Sequence, residues 1–353
     1  MSDLRIALVP GDGIGVDVVA EAVKALTAAA DAAGRTLRMT PFDWGAERYL
    51  QTGVTLPADA IERLQDGFDA ILLGAMGDPR VSDNRHAADI LLGLRFRLDL
   101  YVNYRPVRLF HEKLCPLKGR RPEDVDFAVF RENTEGPYVM MGGTFKRGTP
   151  DEVATEIDLN TRRGVDRIVR HAFDHARARR LPAVVMADKS NVLTHGHGLW
   201  QRAFREAAAA YPGIEARHLY ADSLALQLVR DPAQFRVIVT SNMLGDIVTD
   251  LAAALQGGLG MAASGNIHPG RISLFEPVHG SAPSFAGRNA ANPMGAILSA
   301  ALMLEYLGWA AEASRIEEAV RWAVENDRTT ADIGGGLGTR EVGDAICERL
   351  RRS

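Results

Sequence analysis

The chain is 353 residues long, room for one large or two moderate domains at roughly 100–200 residues each. It is 46% hydrophobic and 24% charged, ordinary globular usage that excludes a disordered or fibrous protein. Lys and Arg number 41 against 45 Asp and Glu, a net charge of −4, so no basic footprint marks nucleic acid or an anionic membrane as a partner.

The two cysteines, Cys115 and Cys347, form no CxxC or Cys/His cluster. Neither a disulfide framework nor a zinc site is expected, and a reducing cytosol fits. Asp3, Arg5 and a glycine turn stand where a signal peptide needs an apolar stretch. The longest apolar run, Met294 to Leu304, is eleven residues, whereas spanning a bilayer takes about 20. The expectation is a cytoplasmic protein without a membrane span.

Leu4–Val9 reads as a buried strand, followed by a glycine turn and an alanine-rich helix over Val16–Ala30. Leu37–Phe42 reads as a second strand, Pro57–Leu64 begins a helix, and Ala70–Leu73 is a short buried strand. This alternation predicts an α/β fold with parallel neighbours. In the middle, Val125–Phe130, Ala183–Met186 and Val237–Thr240 read as strands separated by longer helices. Val165, Ile168, Val169, Ala172, Phe173 and Ala176 follow helical spacing and predict an amphipathic helix. Arg163, Arg167, Arg170 and Arg177 on its other face read as a solvated surface.

Gly11-Asp12-Gly13-Ile14-Gly15 follows a strand and opens a helix, but a Rossmann fingerprint needs its third glycine one residue later. Asp43 could mimic the ribose-binding acid of such a site. The pattern itself supports a tight glycine turn near a ligand. In Ser241–Leu251, Asp246 and Asp250 are spaced i, i+4 and share one helix face. Their apolar neighbours predict a largely buried helix, and buried carboxylates need a counter-charge. Mg²⁺ or Mn²⁺ would supply it, and so would an arginine.

Arg95, Arg105 and Arg131 sit near predicted element ends beside apolar residues. Guanidinium groups hold carboxylates bidentately and suit a di- or tricarboxylate, though each also suits a structural ion pair. Lys189 follows a buried strand, where a general base could stand, and Tyr138 is a candidate proton donor.

Several segments together resemble the isocitrate/isopropylmalate dehydrogenase family of β-decarboxylating 2-hydroxy acid dehydrogenases. They are GDGIG at 11–15, the arginine-bearing LLGLRFRLDLYVNYRPVR, RENTEGPY at 131–138, DKSNV at 188–192 and SNMLGDIVTDLAA at 241–253. SGNI at 264–267, FEPVHGSAP at 275–283 and ANP at 291–293 extend the resemblance over essentially the whole chain. It implies an α/β fold that is not Rossmann, with two domains sharing a large mixed sheet. Residues 1–104 and 256–353 would form the large cofactor-binding domain. Residues 105–255 would form the central domain, with substrate and metal residues and a dimer interface.

The resemblance also assigns roles. Arg95, Arg105 and Arg131 would clamp the carboxylates of a small 2-hydroxy dicarboxylate. Asp246 and Asp250 would bind Mg²⁺ or Mn²⁺ with the partner subunit's Asp222, in a homodimer whose active sites are shared between subunits. Tyr138 and the partner subunit's Lys189 would be the catalytic acid–base pair, and Asn191 would face the site. Glu276, His279 and Asn292 would line the NAD site, with Gly280, Ser281, Ala282 and Pro283 as a backbone loop against the adenosine.

For the substrate, homoisocitrate enzymes of the family carry an extra arginine three residues before the first clamp arginine, where this chain has Leu92. Leu91 and Leu92 beside Arg95, with Val192 after Asn191, suit an isopropyl group, whose burial is worth about 1.5–3 kcal/mol. The expected reaction is NAD-dependent oxidative decarboxylation of (2R,3S)-3-isopropylmalate, in leucine biosynthesis. The alternatives are a tartrate/D-malate decarboxylating member and a non-catalytic regulatory subunit. One position departs from the family: NAD-using members usually have an acidic residue after Gly-Ser-Ala-Pro, where this chain has Ser284. NAD is expected, with a smaller preference over NADP.

Overall fold

The computed structural model describes residues 3–352. The chain forms two units, one running up to Leu100, over Arg105–Val125 and from Ala253 onward, the other comprising Tyr101–Tyr104 and Asp126–Ala252. The first opens with β1 (Leu4–Val9), α1 (Ile14–Ala32), β2 (Leu37–Pro41), α2 (Ala46–Thr52) and α3 (Ala60–Gly67). β3 (Ala70–Leu73) and α4 (Arg85–Arg97) follow, then β4 (Val102–Arg108), whose residues divide between the units. The second unit contains β5 (Asp126–Glu132), β6 (Gly142–Phe145), β7 (Val153–Glu156), α5 (Arg162–Ala178) and β8 (Ala183–Asp188). It continues through α6 (Gly196–Ala208), β9 (Glu215–Tyr220), α7 (Ala221–Arg230), β10 (Val237–Thr240) and most of α8 (Asn242–Leu255). β11 (Ala263–Ile267), β12 (Ser273–Pro277), α9 (Met294–Tyr306), α10 (Ala310–Glu325) and α11 (Thr339–Arg352) return to the first.

In the first unit the strand order is β2-β1-β3-β12-β11. β1 runs parallel to β2 and β3, β12 parallel to β3, and β11 antiparallel to β12. β3 is buried throughout, as its continuous apolar run requires of a strand covered on both faces. The apolar run at 294–304 is the core of α9: every one of those residues is buried, against α1, α10, β11 and β12. Among the described residues no helix is long and apolar enough to cross a membrane. Both cysteines are free.

In the second unit β5, β10, β8 and β9 are adjacent and parallel, with Arg131 opposite Thr240, Thr240 opposite Ala187, and Asp188 opposite Tyr220. α5 buries the six apolar residues its periodicity selects, and packs on α6, β5 and β10. On its outer face Arg163, Arg170 and Arg177 are exposed, as a solvated face would be, but Arg167 is half-buried, with Nη2 donating to Thr134 Oγ1 at 2.7 Å and its guanidinium 4.2 Å from the centre of the Tyr101 ring. β6 and β7 form a separate antiparallel hairpin, exposed along its length.

The domain limits read from the sequence move. Residues 105–125 group with the chain ends rather than with the central segment. The reason lies in their anchors: Arg108 ion-pairs with Glu317 at 2.7 Å and its N–H donates to Gln256, while Lys113 pairs with Asp327.

Phe173 is fully buried and lies 4.9 Å from the Tyr211 ring and 5.4 Å from Phe204, centroid to centroid. Phe173→Ala is expected to destabilise the second unit by about 3–5 kcal/mol, from lost transfer energy and the cavity left behind. Denaturant unfolding measures it, and a loss below about 1 kcal/mol would contradict this packing.

Candidate active site

The second unit gathers its chemistry at the carboxyl ends of its parallel strands, the usual place for a crevice in such sheets. β5 runs through Arg131 to Glu132, so Arg131 is part of the strand rather than a cap after Phe130. It is only 1% exposed. Because Arg131 and Thr240 are opposite each other, the start of α8 falls beside the guanidinium. Arg131 Nε donates to Asn242 Oδ1 at 2.9 Å, and Nη1 pairs with Asp246. The guanidinium also lies 4.9 Å from the centre of the Tyr138 ring, a cation–π contact. The Tyr138 hydroxyl donates to the other Asp246 oxygen at 2.7 Å, and Asn242 Nδ2 donates to the Glu135 carbonyl at 2.8 Å. A side chain at Gly245 would place a Cβ 2.6 Å from Arg131 Cγ, so glycine there admits the arginine stem.

α8 is less buried than its composition suggests. Val248, Thr249 and Ala252 face inward, but Met243, Ile247 and Asp250 are exposed, and Asp246 keeps 42% of its side-chain exposure. The apolar residues around the carboxylates divide between two faces of the helix, so they do not enclose the pair. Asp246 has Arg131 as its counter-charge. Among the described residues no three His, Cys, Asp or Glu side chains gather to hold a metal. The all-oxygen donors at Asp246 and Asp250 still match Mg²⁺ or Mn²⁺ chemistry.

Lys189 and Asp222 come together through strand register. Asp188 and Tyr220 are opposite each other on β8 and β9, and just beyond them Lys189 Nζ meets Asp222 Oδ1 at 2.7 Å. This hydrogen bond, helped by backbone N–H groups, holds the Asp222 carboxyl below its ordinary range. Asn191 and Val192 are exposed in the turn after Lys189, Val192 at 65%.

In the first unit three loops meet at the ends of β1, β3 and β12. Asp12 lies buried at the centre of the glycine turn, and its carboxylate accepts from Ala46 N (2.7 Å), Gly77 N (2.8 Å) and His86 Nε2 (2.8 Å). Ile14 N donates to Ser281 O at 2.8 Å. At Gly13, with φ of 56°, a Cβ would come 2.1 Å from that same oxygen. The glycine turn is therefore the support of the 280–283 loop. Asp43 is exposed and paired with Arg48, which removes it as a mimic of the ribose-binding acid.

Arg95 and Arg105 are buried in this unit, away from any strand or helix boundary for Arg105, which lies within β4. Arg95 Nη2 is 3.5 Å from Glu276 Oε1, which also accepts from Asn266 Nδ2 at 2.7 Å. Leu91 and Leu92 are half-buried on α4, and Leu91 spends part of its surface on the core. His279 donates through Nδ1 to Gly280 O at 3.0 Å, while its buried Nε2 has no partner among the described residues. Burial lowers its pKa, which keeps Nε2 an acceptor. That orphaned atom, and the open space beside Gly280, fit a site for a nicotinamide cofactor. Asn292 donates to Asp332 at 3.1 Å, Ala282 is half-buried, and Pro283 and Ser284 are exposed.

Residues 5–346 match the isocitrate/isopropylmalate dehydrogenase family model. The chain belongs to this family. It is 48% identical over 349 residues to a 3-isopropylmalate dehydrogenase of Thermobifida fusca, and 47% identical over 349 residues to one of Streptomyces griseus, with 98% of each chain covered in both comparisons. Among solved structures, an isocitrate dehydrogenase from Methylococcus capsulatus superposes with a TM-score of 0.89 at 36% identity, covering 99% of both chains. The TT0538 protein of Thermus thermophilus superposes at 0.85 and 38% identity, covering 99% of this chain and 68% of that one. The architecture is thus the α/β fold of this family of dehydrogenases, not a Rossmann fold.

The sequence reading passed over Asp12, Asn242 and Glu132, although all three lie in quoted motifs, because nothing in a motif tells a ligand from its support. Glu132 is buried, accepts from Thr134 and Glu135 N–H groups, and is pushed up to about 7 by burial. A carboxyl whose folded pKa exceeds its unfolded one stabilises the native state below the unfolded pKa and loses that contribution as pH rises through the folded one. Glu132→Gln should abolish this loss. The stability difference between wild type and variant is expected to shift by roughly 3 kcal/mol between pH 4.5 and 8, by denaturant melts across that range. A pH-independent difference would mean that Glu132 is ionised throughout.

Proposed function

We propose that this family member is an NAD-dependent 3-isopropylmalate dehydrogenase, carrying out the oxidative decarboxylation of (2R,3S)-3-isopropylmalate in leucine biosynthesis. The observation that carries the proposal is the joining of Arg131, Tyr138 and Asp246 in one cluster. It puts a carboxylate-binding cation, a proton donor and a metal-type carboxylate within contact of each other.

In this reading Arg95, Arg105 and Arg131 grip the substrate carboxylates, and Leu91, Leu92 and Val192 cover its isopropyl group. Asp246 and Asp250 would hold Mg²⁺ or Mn²⁺ with the partner subunit's Asp222, and Glu276, His279, Asn292 and the 280–284 loop would hold NAD. When bound, the metal would supply Lewis acidity and the nicotinamide a hydride acceptor. The partner subunit's Lys189 takes the proton of the 2-hydroxyl, and Tyr138 returns a proton to the carbon that carbon dioxide leaves. Asn191, in the same turn as Lys189, would present its amide to the site.

A homodimer with shared sites suits the second unit. Leu226 and Val229 of α7 and Met243 and Ile247 of α8 are exposed apolar residues, as are Met140, Phe145 and Val153 on or near the β6–β7 hairpin. A second copy covering these surfaces would remove them from water. Two free cysteines suit a cytoplasmic enzyme.

The deciding experiment is NADH formation from a panel of 3-isopropylmalate, D-malate, tartrate, isocitrate and homoisocitrate with Mg²⁺, with an EDTA control. The highest kcat/KM is expected for 3-isopropylmalate. A preference for D-malate or tartrate would move the chain within the family, and no turnover at all would leave a regulatory subunit. Lys189→Ala is expected to lower kcat by about 10² or more, the span of general-base catalysis, and an unchanged kcat removes Lys189 from the mechanism. Ser284 offers no charge against a 2′-phosphate. Ser284→Asp should therefore widen the NAD⁺/NADP⁺ ratio of kcat/KM, chiefly by impairing NADP⁺, and a wild type that prefers NADP⁺ would refute the cofactor assignment.

A further inference from the structure

The turn that carries Lys189 is closed by a side chain outside every motif. Val192 N and Leu193 N both donate to Lys189 O, at 2.9 and 2.8 Å. The N–H of Lys189, just beyond the end of β8, donates to Nδ1 of His197 at 2.7 Å. The N–H of His197 donates in turn to Leu193 O at 3.0 Å. Lys189, Leu193 and His197 thus form a closed circuit of three hydrogen bonds, and the His197 ring that completes it is only 2% exposed. The preceding residue is fixed independently, since Asp188 accepts from Ser190 N (3.0 Å), His218 Nε2 (2.9 Å) and Gln201 Nε2 (2.7 Å).

A ring nitrogen that accepts from a backbone N–H carries no proton of its own. His197 is therefore neutral, with its proton on Nε2, which faces Asp158 Oδ2 at 3.6 Å. We infer that His197 is a positioning residue for Lys189, its unprotonated Nδ1 fixing the backbone from which the Lys189 side chain reaches Asp222. The inference rests on the assignment of Lys189 as the base. Protonation of His197 would set an N–H against the Lys189 N–H and open the circuit. Asp158, before α5, and Asp188, at the end of β8, are the carboxylates acting on the ring, and burial outweighs them to lower its pKa. The other nearby charges are engaged elsewhere: Lys189 with Asp222, His218 with Asp188, and Arg162 of α5 with Asp166 and Glu206.

The test compares His197→Leu, which fills the space without an acceptor, with His197→Asn, whose amide oxygen can stand where Nδ1 stood. His197→Leu is expected to lower kcat tenfold or more while the KM for NAD⁺ stays within twofold. His197→Asn should recover kcat to within threefold and leave the acid-side loss of kcat to the protonation of Lys189 alone. Nitrogen-15 NMR of the wild type should find His197 Nδ1 unprotonated at neutral pH. A protonated Nδ1, or a His197→Leu variant with full kcat, overturns the inference. So does a loss that affects kcat and KM alike and that asparagine does not rescue, since that describes a merely structural residue. Lys189→Ala, run alongside, separates the two failures: full activity there refutes the base itself, whereas activity lost there but kept in His197→Leu refutes the positioning alone.

Discussion

A guanidinium buried inside a β-strand has to find acceptors within reach, because an unpaired buried charge costs several kcal/mol. Arg131 meets that demand through Asn242 and Asp246 on the first turns of α8 and the face of Tyr138. The rest of the cluster follows from it. Residue 245 has to be glycine to let the arginine stem pass, Asp246 has to project toward β5, and Tyr138 has to close over the pair. Asn242 extends the hold to the Glu135 carbonyl, so the loop after β5 is tied to the same point. One electrostatic requirement places a cation, a carboxylate and a phenol together before any substrate arrives, which is the preorganisation that catalysis exploits.

Parallel register does for Lys189 what Arg131 does for Asp246. Residues that leave adjacent parallel strands at the same level emerge side by side, whatever their distance in sequence. Asp188 and Tyr220 end β8 and β9 opposite each other, so residues 33 positions apart become an ion pair. The same geometry in the first unit brings the glycine turn after β1 against the loop after β12, with Asp12 as the fixed point between three segments.

Much of this was legible in the sequence, and the exceptions have physical causes. β1, β3 and β10 run over the residues their apolar runs mark, and α5 buries the stripe its spacing selects, because deep burial leaves a strong hydrophobic pattern. β6, β7 and β9 were not legible. The hairpin strands are exposed on both faces and β9 is an edge strand with no buried residue, so neither presents an apolar run. The candidate site was legible as a set of motifs, whereas its wiring was not. The distribution of α8 side chains between inner and outer faces, the pairing of Lys189 with Asp222 and the role of Asp12 all depend on which strand neighbours which. The failed expectation of a buried Asp246–Asp250 pair has this origin: composition counts apolar neighbours but not the side of the helix on which they lie.

The loop at 283–288 is held less tightly than these parts, its Gly287 N–H donating to the Asp17 carboxylate at 2.8 Å. Its residues are exposed in an unbroken run, Ser284 and Phe285 among them, while Ser281, three positions earlier, is buried and bound to the glycine turn. Substitutions at such a surface leave folding free energy nearly untouched. Sequence drift can therefore sample side chains at 284 without the stability threshold that restrains Arg131 or Asp12. Under the proposed function, the loop that tells one cofactor from another lies on a surface free to change, so discrimination can diverge between close relatives whose cores remain the same.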